Sequence, residues 1–286
     1  MGGTAPLMMA PPPGTPQTAE SQFARERAFH DEWATSVTPE KVAVRPAFEN
    51  VTAPENRFIL QQMGDLKGKS VLDLGSGLGE SAIYFALQGA KVTATDISPE
   101  MCALCQQTAR AHGVEVDAVA TPVERLQVPE AHFDIVYGAN LLHHVSDIDA
   151  ALAAVRRALK PGGRCFFWDP LAYNPAINVY RRIATKVRTE DEHPLRFEVL
   201  DLFRKHFAEV QHREFWLLTL ALFVKYYAID RVHPNASRYW KRILEEDPRK
   251  LRFWFVPLQR LDDLLLRLPL VRRLAWNAVI WARRPA

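Results

Sequence analysis

Apolar and polar positions repeat with two different periods along this chain, and the switches between them mark its elements. Short apolar runs rich in Val, Leu, Ile and Phe predict strands at Ser70–Leu74, Lys91–Thr95, Glu115–Ala120, Phe133–Gly138 and Arg164–Trp168. Apolar residues at three- and four-residue spacing predict helices between them, at Glu80–Gln88, Pro99–Ala111 and Asp147–Leu159. Lys160-Pro161-Gly162-Gly163 reads as a sharp stop to the last of these helices. Strict alternation of strand and helix predicts an α/β fold, a doubly wound sheet. Beyond it the pattern predicts a helix at Glu198–His206 and strands at Ala208–Trp216 and Leu274–Ala282. The roughly fifty residues between those strands far exceed an ordinary connection, so they are read as a mostly helical cap. Upstream, Ala19–Trp33 has an amphipathic pattern, and Ala53–Met63 begins a helix with Pro54 in its first turn. The resulting division is a disordered Pro- and Gly-rich tail over residues 1–19, leading helices over 20–64, and a main domain over 65–286. That domain carries insertions at 170–196 and 218–270.

The chemistry concentrates in Lys69–Asp96, KSVLDLGSGLGESAIYFALQGAKVTATD. A strand runs into a turn built on Gly75, Gly77 and Gly79, then into a helix, then into a second strand ending on Asp96. Glycines let the backbone leave the strand through conformations closed to other residues and let a ligand approach the main chain. The first N–H groups of the following helix point at the same place. An acid at the end of the second strand can accept both hydroxyls of a ribose, which makes the unit a nucleoside site. Only Leu78 separates Gly77 from Gly79, whereas the dinucleotide fingerprint leaves two residues between its last glycines. Asp73 would repel a pyrophosphate but suits a ligand carrying an amine and a sulfonium.

The run V-L-D-L-G-S-G-L-G-E resembles the first motif of the class I S-adenosylmethionine-dependent methyltransferases. FDIVYGANLLHHVSDIDAALAAVRRALKPGG resembles the second half of that domain, so the likeness spans about Gly68 to Asp169. The resemblance implies a Rossmann-like seven-stranded sheet whose antiparallel last strand inserts beside the sixth, with S-adenosyl-L-methionine as cofactor. It implies cofactor contacts from Asp73, Gly75, Ser76 and Gly77 to the methionyl part, from Asp96 to the ribose and from Ile97 to the adenine, with Val123 and Gly138 at the same site. It also implies that the helices of 20–64 cover the site, with Phe29, His30, Trp33 and Phe48 helping to close it. Family members often carry an acid after strand three near the adenine amino group. Pro122 stands there in this chain, leaving Thr121, the Val123 backbone and Glu124 as substitutes.

Methyl transfer to a hydroxyl or carbon also needs a proton acceptor, and ligands of open α/β sheets bind at the carboxyl ends of the strands. Asp169, directly after strand five, and Tyr173 beyond it are catalytic candidates there. Asp169 equally suits a turn-capping role before Pro170. His143 follows strand four and titrates near neutrality, so it is the third candidate, while His144 is read as packing. His193 lies in a charged run that also fits a solvated loop. Phe215–Ile229, Phe253–Val256 and Leu264–Leu270 are apolar enough to line a pocket for a lipid-, isoprenoid- or polyketide-like acceptor, or simply to pack the cap. Arg181, Arg182, Lys186 and Arg188 either clamp an anionic group on that acceptor or form a solvated face.

Composition narrows the remaining classes. A 48% hydrophobic, 24% charged chain of 286 residues is that of a globular protein, and its net charge of +3 does not by itself indicate nucleic acid. The N/D-P-P-Y/F motif of base-modifying relatives is missing, since Leu141-Leu142 follow Asn140. Cys102, Cys105 and Cys165 form no disulfide framework, and Cys102-x-x-Cys105 lacks the second pair of a zinc site, so no metal is expected. No run reaches the roughly 18 apolar residues of a membrane span, and the start lacks a signal-peptide pattern. Together with the resemblance, which implies a methyltransferase acting on an oxygen or carbon of a largely apolar small molecule, these features lead us to expect a cytoplasmic enzyme. Two alternatives stand beside it: a nicotinamide-dependent oxidoreductase on the same fold, and a cofactor-binding module whose RLDDLLLRLPLVRRL segment docks on a membrane surface or partner. The sequence leaves the oligomeric state open.

Overall fold

A computed structural model describes residues 19–185 and 192–286, so most of the expected N-terminal tail, together with Lys186 and Arg188, lies outside the described residues. Three leading helices, α1 (Ala19–Thr35), α2 (Pro46–Glu49) and α3 (Pro54–Met63), precede the sheet. The central alternation runs β1 (Ser70–Leu74), α4 (Glu80–Leu87), β2 (Lys91–Asp96), α5 (Pro99–Ala111), β3 (Asp117–Ala120), β4 (Phe133–Ala139), α6 (Ile148–Ala158) and β5 (Leu159–Pro170). Then come α7 (Pro175–Ile183), α8 (Val199–His206), β6 (Ala208–Phe215), the cap helices α9 (Ala221–Val224), α10 (Tyr239–Glu245) and α11 (Pro248–Leu265), and β7 (Asn277–Arg283).

The seven strands form one sheet in the order β3-β2-β1-β4-β5-β7-β6. The first five are parallel, and β7 runs antiparallel between β5 and β6. Alternation along β1 assigns the two faces. Val71 points into the core under α4 and the leading helices, and Leu72 and Leu74 point into the core under α6 and α8. Both faces are covered, which is why these strands read as nearly continuous apolar runs.

Two boundaries differ from the sequence pattern for identifiable reasons. Leu159–Gly163 ends α6 as the pattern expects, but it already belongs to the fifth strand, expected only from Arg164. It enters β5 directly, with Leu159 paired to Phe133 and a register shift before Ile135 that absorbs the glycines. The seventh strand begins at Asn277 because Val271–Leu274 forms a short 3-10 turn instead. Cys102 and Cys105 are buried on α5, and Cys105 packs in the core.

Candidate functional site

The glycine turn sits at the carboxyl end of β1 and is shaped by its backbone. Gly75, Gly77 and Gly79 all have positive φ, at 61°, 50° and 87°. A Cβ on Gly77 would meet nothing within 4 Å, so that residue is a glycine for its conformation. A Cβ on Gly79 would lie 2.8 Å from the Cys105 sulfur, so close packing fixes that one too. Asp96 ties the turn to β2: Gly77 N–H donates to Oδ2 at 2.9 Å and Ser98 N–H donates to Oδ1 at 3.0 Å. Each carboxylate oxygen offers about two acceptor positions, so one on each remains for a ligand.

Asp73 lies behind the turn rather than on the cavity wall. It is buried, and Ser81 and the Ala82 N–H at the start of α4 donate to it, while Oδ2 has no hydrogen-bond partner. Burial pushes this carboxyl up to about 8, with the nearby Glu80 and Asp96 charges adding to the effect. A cationic ligand above the turn would offset that cost, which fits an amine and a sulfonium and does not fit a pyrophosphate.

The turn opens into a cavity of about 330 Å³ that extends under the leading helices and the cap. Gly75, Ser76, Gly77, Asp96, Ile97 and Val123 all line it, as do Thr121 and Glu124 at the end where the acid expected after strand three is replaced by Pro122. Phe29, His30, Trp33 and Phe48 close it from above. Gly138 does not line it: its Cα faces the Phe167 ring and Leu141, which fill the space a ligand would need. The cap closes over the turn through an ion pair between Lys241 of α10 and Glu80.

The three catalytic candidates separate. His143 lines the cavity, whereas Asp169 is fully buried beneath it and takes two hydrogen bonds from His143, from Nδ1 at 2.7 Å and from the backbone N–H at 3.2 Å. Asp169 therefore caps the turn after β4 and holds the imidazole, and it does not line the cavity. Burial raises its carboxyl to about 7, against the pull of the backbone donors around His143. Tyr173 is turned away. Its ring stacks on Phe197, and its hydroxyl accepts from the Phe197 N–H and donates to Glu198, so it has no access to the cavity.

His144 lines the cavity as well, and its Nδ1 lies 3.2 Å from Glu26 of α1. Burial works against charge on this imidazole, but the Glu26 carboxylate outweighs it and holds the value above that of an ordinary histidine. Among the described residues His143, His144 and Glu192 bring ligand atoms within 4.8 Å of one another, a donor set able to hold a divalent cation. No spacing signal announces it, because Glu192 is far along the chain.

The opposite end of the cavity is aromatic, but not in the way the apolar stretches suggest. Phe253, Leu264, Leu268 and Leu270 are exposed, with Phe253 at 90% and Leu270 at 81%, and none lines the cavity. From the Phe215–Ile229 stretch Trp216 lines it, and the cap adds Arg238, Trp240 and Ile243. Arg181 reaches the wall while bonded to the Leu171 carbonyl and Asn178; Arg182 does not line it. Trp168 donates to the Tyr137 hydroxyl at 2.9 Å, and Tyr137 donates to Asn56 at 2.6 Å. Residues that sequence reasoning passed over include Glu55, Asn56 and Asn277, all buried and all on this wall. An acid in the first turn of α3 reads simply as a favourable helix-end charge.

Residues 72–167 match the methyltransferase domain family. The ubiquinone biosynthesis O-methyltransferase of Citrobacter koseri is 37% identical over 111 residues, which are 38% of this chain and 46% of that protein. The ubiquinone/menaquinone biosynthesis C-methyltransferase of Psychromonas ingrahamii is 37% identical over 132 residues, 43% of this chain and 52% of that protein. The chain thus spans about half the length of the curated relatives it matches. Among solved structures, phosphoethanolamine N-methyltransferase 2 of Haemonchus contortus, in complex with S-adenosyl-L-methionine, superposes with a TM-score of 0.57 at 19% identity, covering 91% of this chain and 60% of that one. The N-methyltransferase NodS of Bradyrhizobium japonicum superposes with a TM-score of 0.51 at 14% identity, covering 92% and 97%. At these identities the structures establish the fold.

Proposed function

We propose that this chain, which carries a class I S-adenosylmethionine-dependent methyltransferase domain, transfers a methyl group to an oxygen or carbon of a largely apolar small molecule. The observation that carries the reading is the clasp of Asp96 on the Gly77 and Ser98 N–H groups at the mouth of a cavity that continues under an aromatic cap. When bound, S-adenosyl-L-methionine supplies an electrophilic methyl on a sulfonium. Gly75, Ser76 and Gly77 bring the backbone close to the methionyl part, and Asp96 accepts from the ribose hydroxyls. Ile97 and Val123 flank the adenine. Asp73, ionised where a bound cation offsets the cost of its burial, supplies negative charge behind the turn.

On the acceptor side, Asp169 accepts from His143 Nδ1–H, and Nε2, 4.0 Å from Glu192 Oε2, is the ring atom that takes the acceptor's proton as the bond to the methyl forms. Helices α1 to α3 and the cap enclose the reacting groups, and alignment in a water-poor cavity accounts for much of the rate. The two quinone-pathway relatives act in O- and C-methylation respectively by name, which supports an apolar acceptor without choosing the atom.

Calorimetric titration with S-adenosyl-L-methionine tests the cofactor assignment, and a folded protein that shows no binding overturns it. Among methyl-accepting extracts, a labelled product whose formation falls about a hundredfold in Asp169→Asn, with unchanged cofactor affinity, supports the dyad; unchanged turnover removes it.

We place the protein in the cytoplasm on its three free, buried cysteines; no helix of the described residues is long and apolar enough to cross a membrane. A peripheral lipid contact is supported by Leu264, Leu268 and Leu270, exposed beside Arg267 and Arg272. Co-sedimentation with anionic vesicles, lost in Leu268→Asp and Leu270→Asp, is the expected result.

A further inference from the structure

At the far end of the cavity from the glycine turn, two buried residues that carry hydrogen-bond acceptors line the space. Glu55 of α3 is 4% exposed and Asn277, the first residue of β7, is 1% exposed. Asn277 Nδ2 donates to Glu55 Oε1 at 2.6 Å, and the Trp216 indole also donates to Glu55. With its nitrogen committed, Asn277 presents Oδ1 elsewhere, and that oxygen has no hydrogen-bond partner. Buried polar groups are ordinarily satisfied, so an orphan carbonyl on a cavity wall marks a group that a ligand completes. Among the described residues Glu55 takes part in no ion pair, and burial has pushed its carboxyl up to about 7.

The complement of this wall is a donor, and its chemistry can be narrowed. A hydroxyl has one hydrogen and can serve one of the two acceptors; a protonated amine has three hydrogens and can serve both. An ammonium also offsets the cost of ionising a buried carboxyl, which a neutral hydroxyl does not. The surrounding surfaces suit a cation as well: Trp216 and Trp276 pack edge to face at 5.6 Å, and Trp168 and Tyr180 line the same wall. A carboxylate or phosphate, by contrast, would meet Glu55 and Asn277 Oδ1 with like polarity.

We propose that Glu55 and Asn277 form an anchoring site for a protonated amine on the acceptor molecule. The inference deepens the methyltransferase reading and rests on it for the word acceptor, but the amine site itself is measurable without turnover. The anchor is separate from the methylated atom. Asn277 pairs with Pro170, so it stands two strands from β4, roughly 10 Å at the usual strand spacing, while the glycine turn lies beyond β4 on β1. The acceptor is thus held by a basic nitrogen at one end and presents its reacting atom toward β4.

The test is calorimetric titration of the full chain, alone and saturated with S-adenosylhomocysteine, using 2-phenylethylamine, 2-phenylethanol and 3-phenylpropionate as probes. The amine is expected to bind at least about tenfold more tightly than the other two, the range for hydrogen bonds to a charged group. Glu55→Gln, nearly isosteric, should lose that preference while keeping wild-type affinity for S-adenosylhomocysteine, and Asn277→Ala should weaken the amine as well. Equal binding of amine and alcohol, preference for the acid, no amine binding, or full amine affinity in Glu55→Gln overturns the proposal. Failure of S-adenosylhomocysteine to bind would instead overturn the methyltransferase reading and leave the amine result for the unliganded chain standing.

Discussion

Removing the Asp96 carboxylate should separate cofactor binding from folding. Each of its oxygens already accepts one backbone N–H, from Gly77 and from Ser98, which leaves one acceptor position apiece for the two ribose hydroxyls. Hydrogen bonds to a charged group contribute about 1.5 to 3 kcal/mol each. Water competes for the same carboxylate in the unliganded protein, so the lower end applies, and Asp96→Ala should lose about 3 to 4 kcal/mol of binding, on the order of a hundred- to a thousandfold in Kd. Asp96→Asn keeps one accepting oxygen but turns an amide toward the other donor, and should lose about tenfold to thirtyfold. The assay is calorimetric titration with S-adenosylhomocysteine, with thermal denaturation alongside because the Gly77 and Ser98 N–H groups also lose their acceptor. A well-folded Asp96→Ala whose Kd changes by less than about threefold would refute the assignment of this carboxylate to the ligand.

Gly138→Ala should destabilise without touching the cofactor, since the new methyl would lie 2.7 Å and 2.8 Å from two atoms of the buried Phe167 ring. A loss of about 1 to 3 kcal/mol in urea denaturation is expected, and an unchanged midpoint would show that the ring yields freely. Glu55 makes stability depend on pH with a definite sign. Its carboxyl is raised from 4.5 to about 7 in the folded chain, so the folded state holds the proton more tightly and stability falls as pH rises through that window. Glu55→Gln should therefore gain on the wild type by about 3 kcal/mol between pH 5 and pH 8; parallel pH profiles would refute the burial argument.

Much of the fold was legible because the strands that matter are buried on both faces and carry continuous apolar runs. β1, α5 and the start of α4 fall where the pattern puts them. The contiguous half of the site was legible for a related reason: Gly75, Gly77 and Asp96 belong to one βαβ unit, in which local chemistry fixes the geometry. Gly138 failed because a glycine at the end of β4 reads alike whether it makes room for a ligand or for Phe167. Tyr173 failed because sequence distance from Asp169 says nothing of which way a side chain turns after a proline. The exposed Leu264–Leu270 stretch and the cavity-facing Trp240 show the same limit for the cap, where an apolar residue does not tell whether its face meets the cavity or solvent. Glu55 and Asn277 were invisible because their meeting spans 222 positions of the chain.

That long separation bears on how such a protein can change. The grip around Gly75–Asp96 is written in one uninterrupted segment and travels as a block, so alteration within it touches everything at once. The other wall is a mosaic drawn from α3, β5, the cap and β7, each replaceable while the block stays intact. A lineage can therefore retune which molecules the cavity admits by swapping single pieces of that mosaic, and a chimera exchanging only residues 218–270 is the laboratory equivalent.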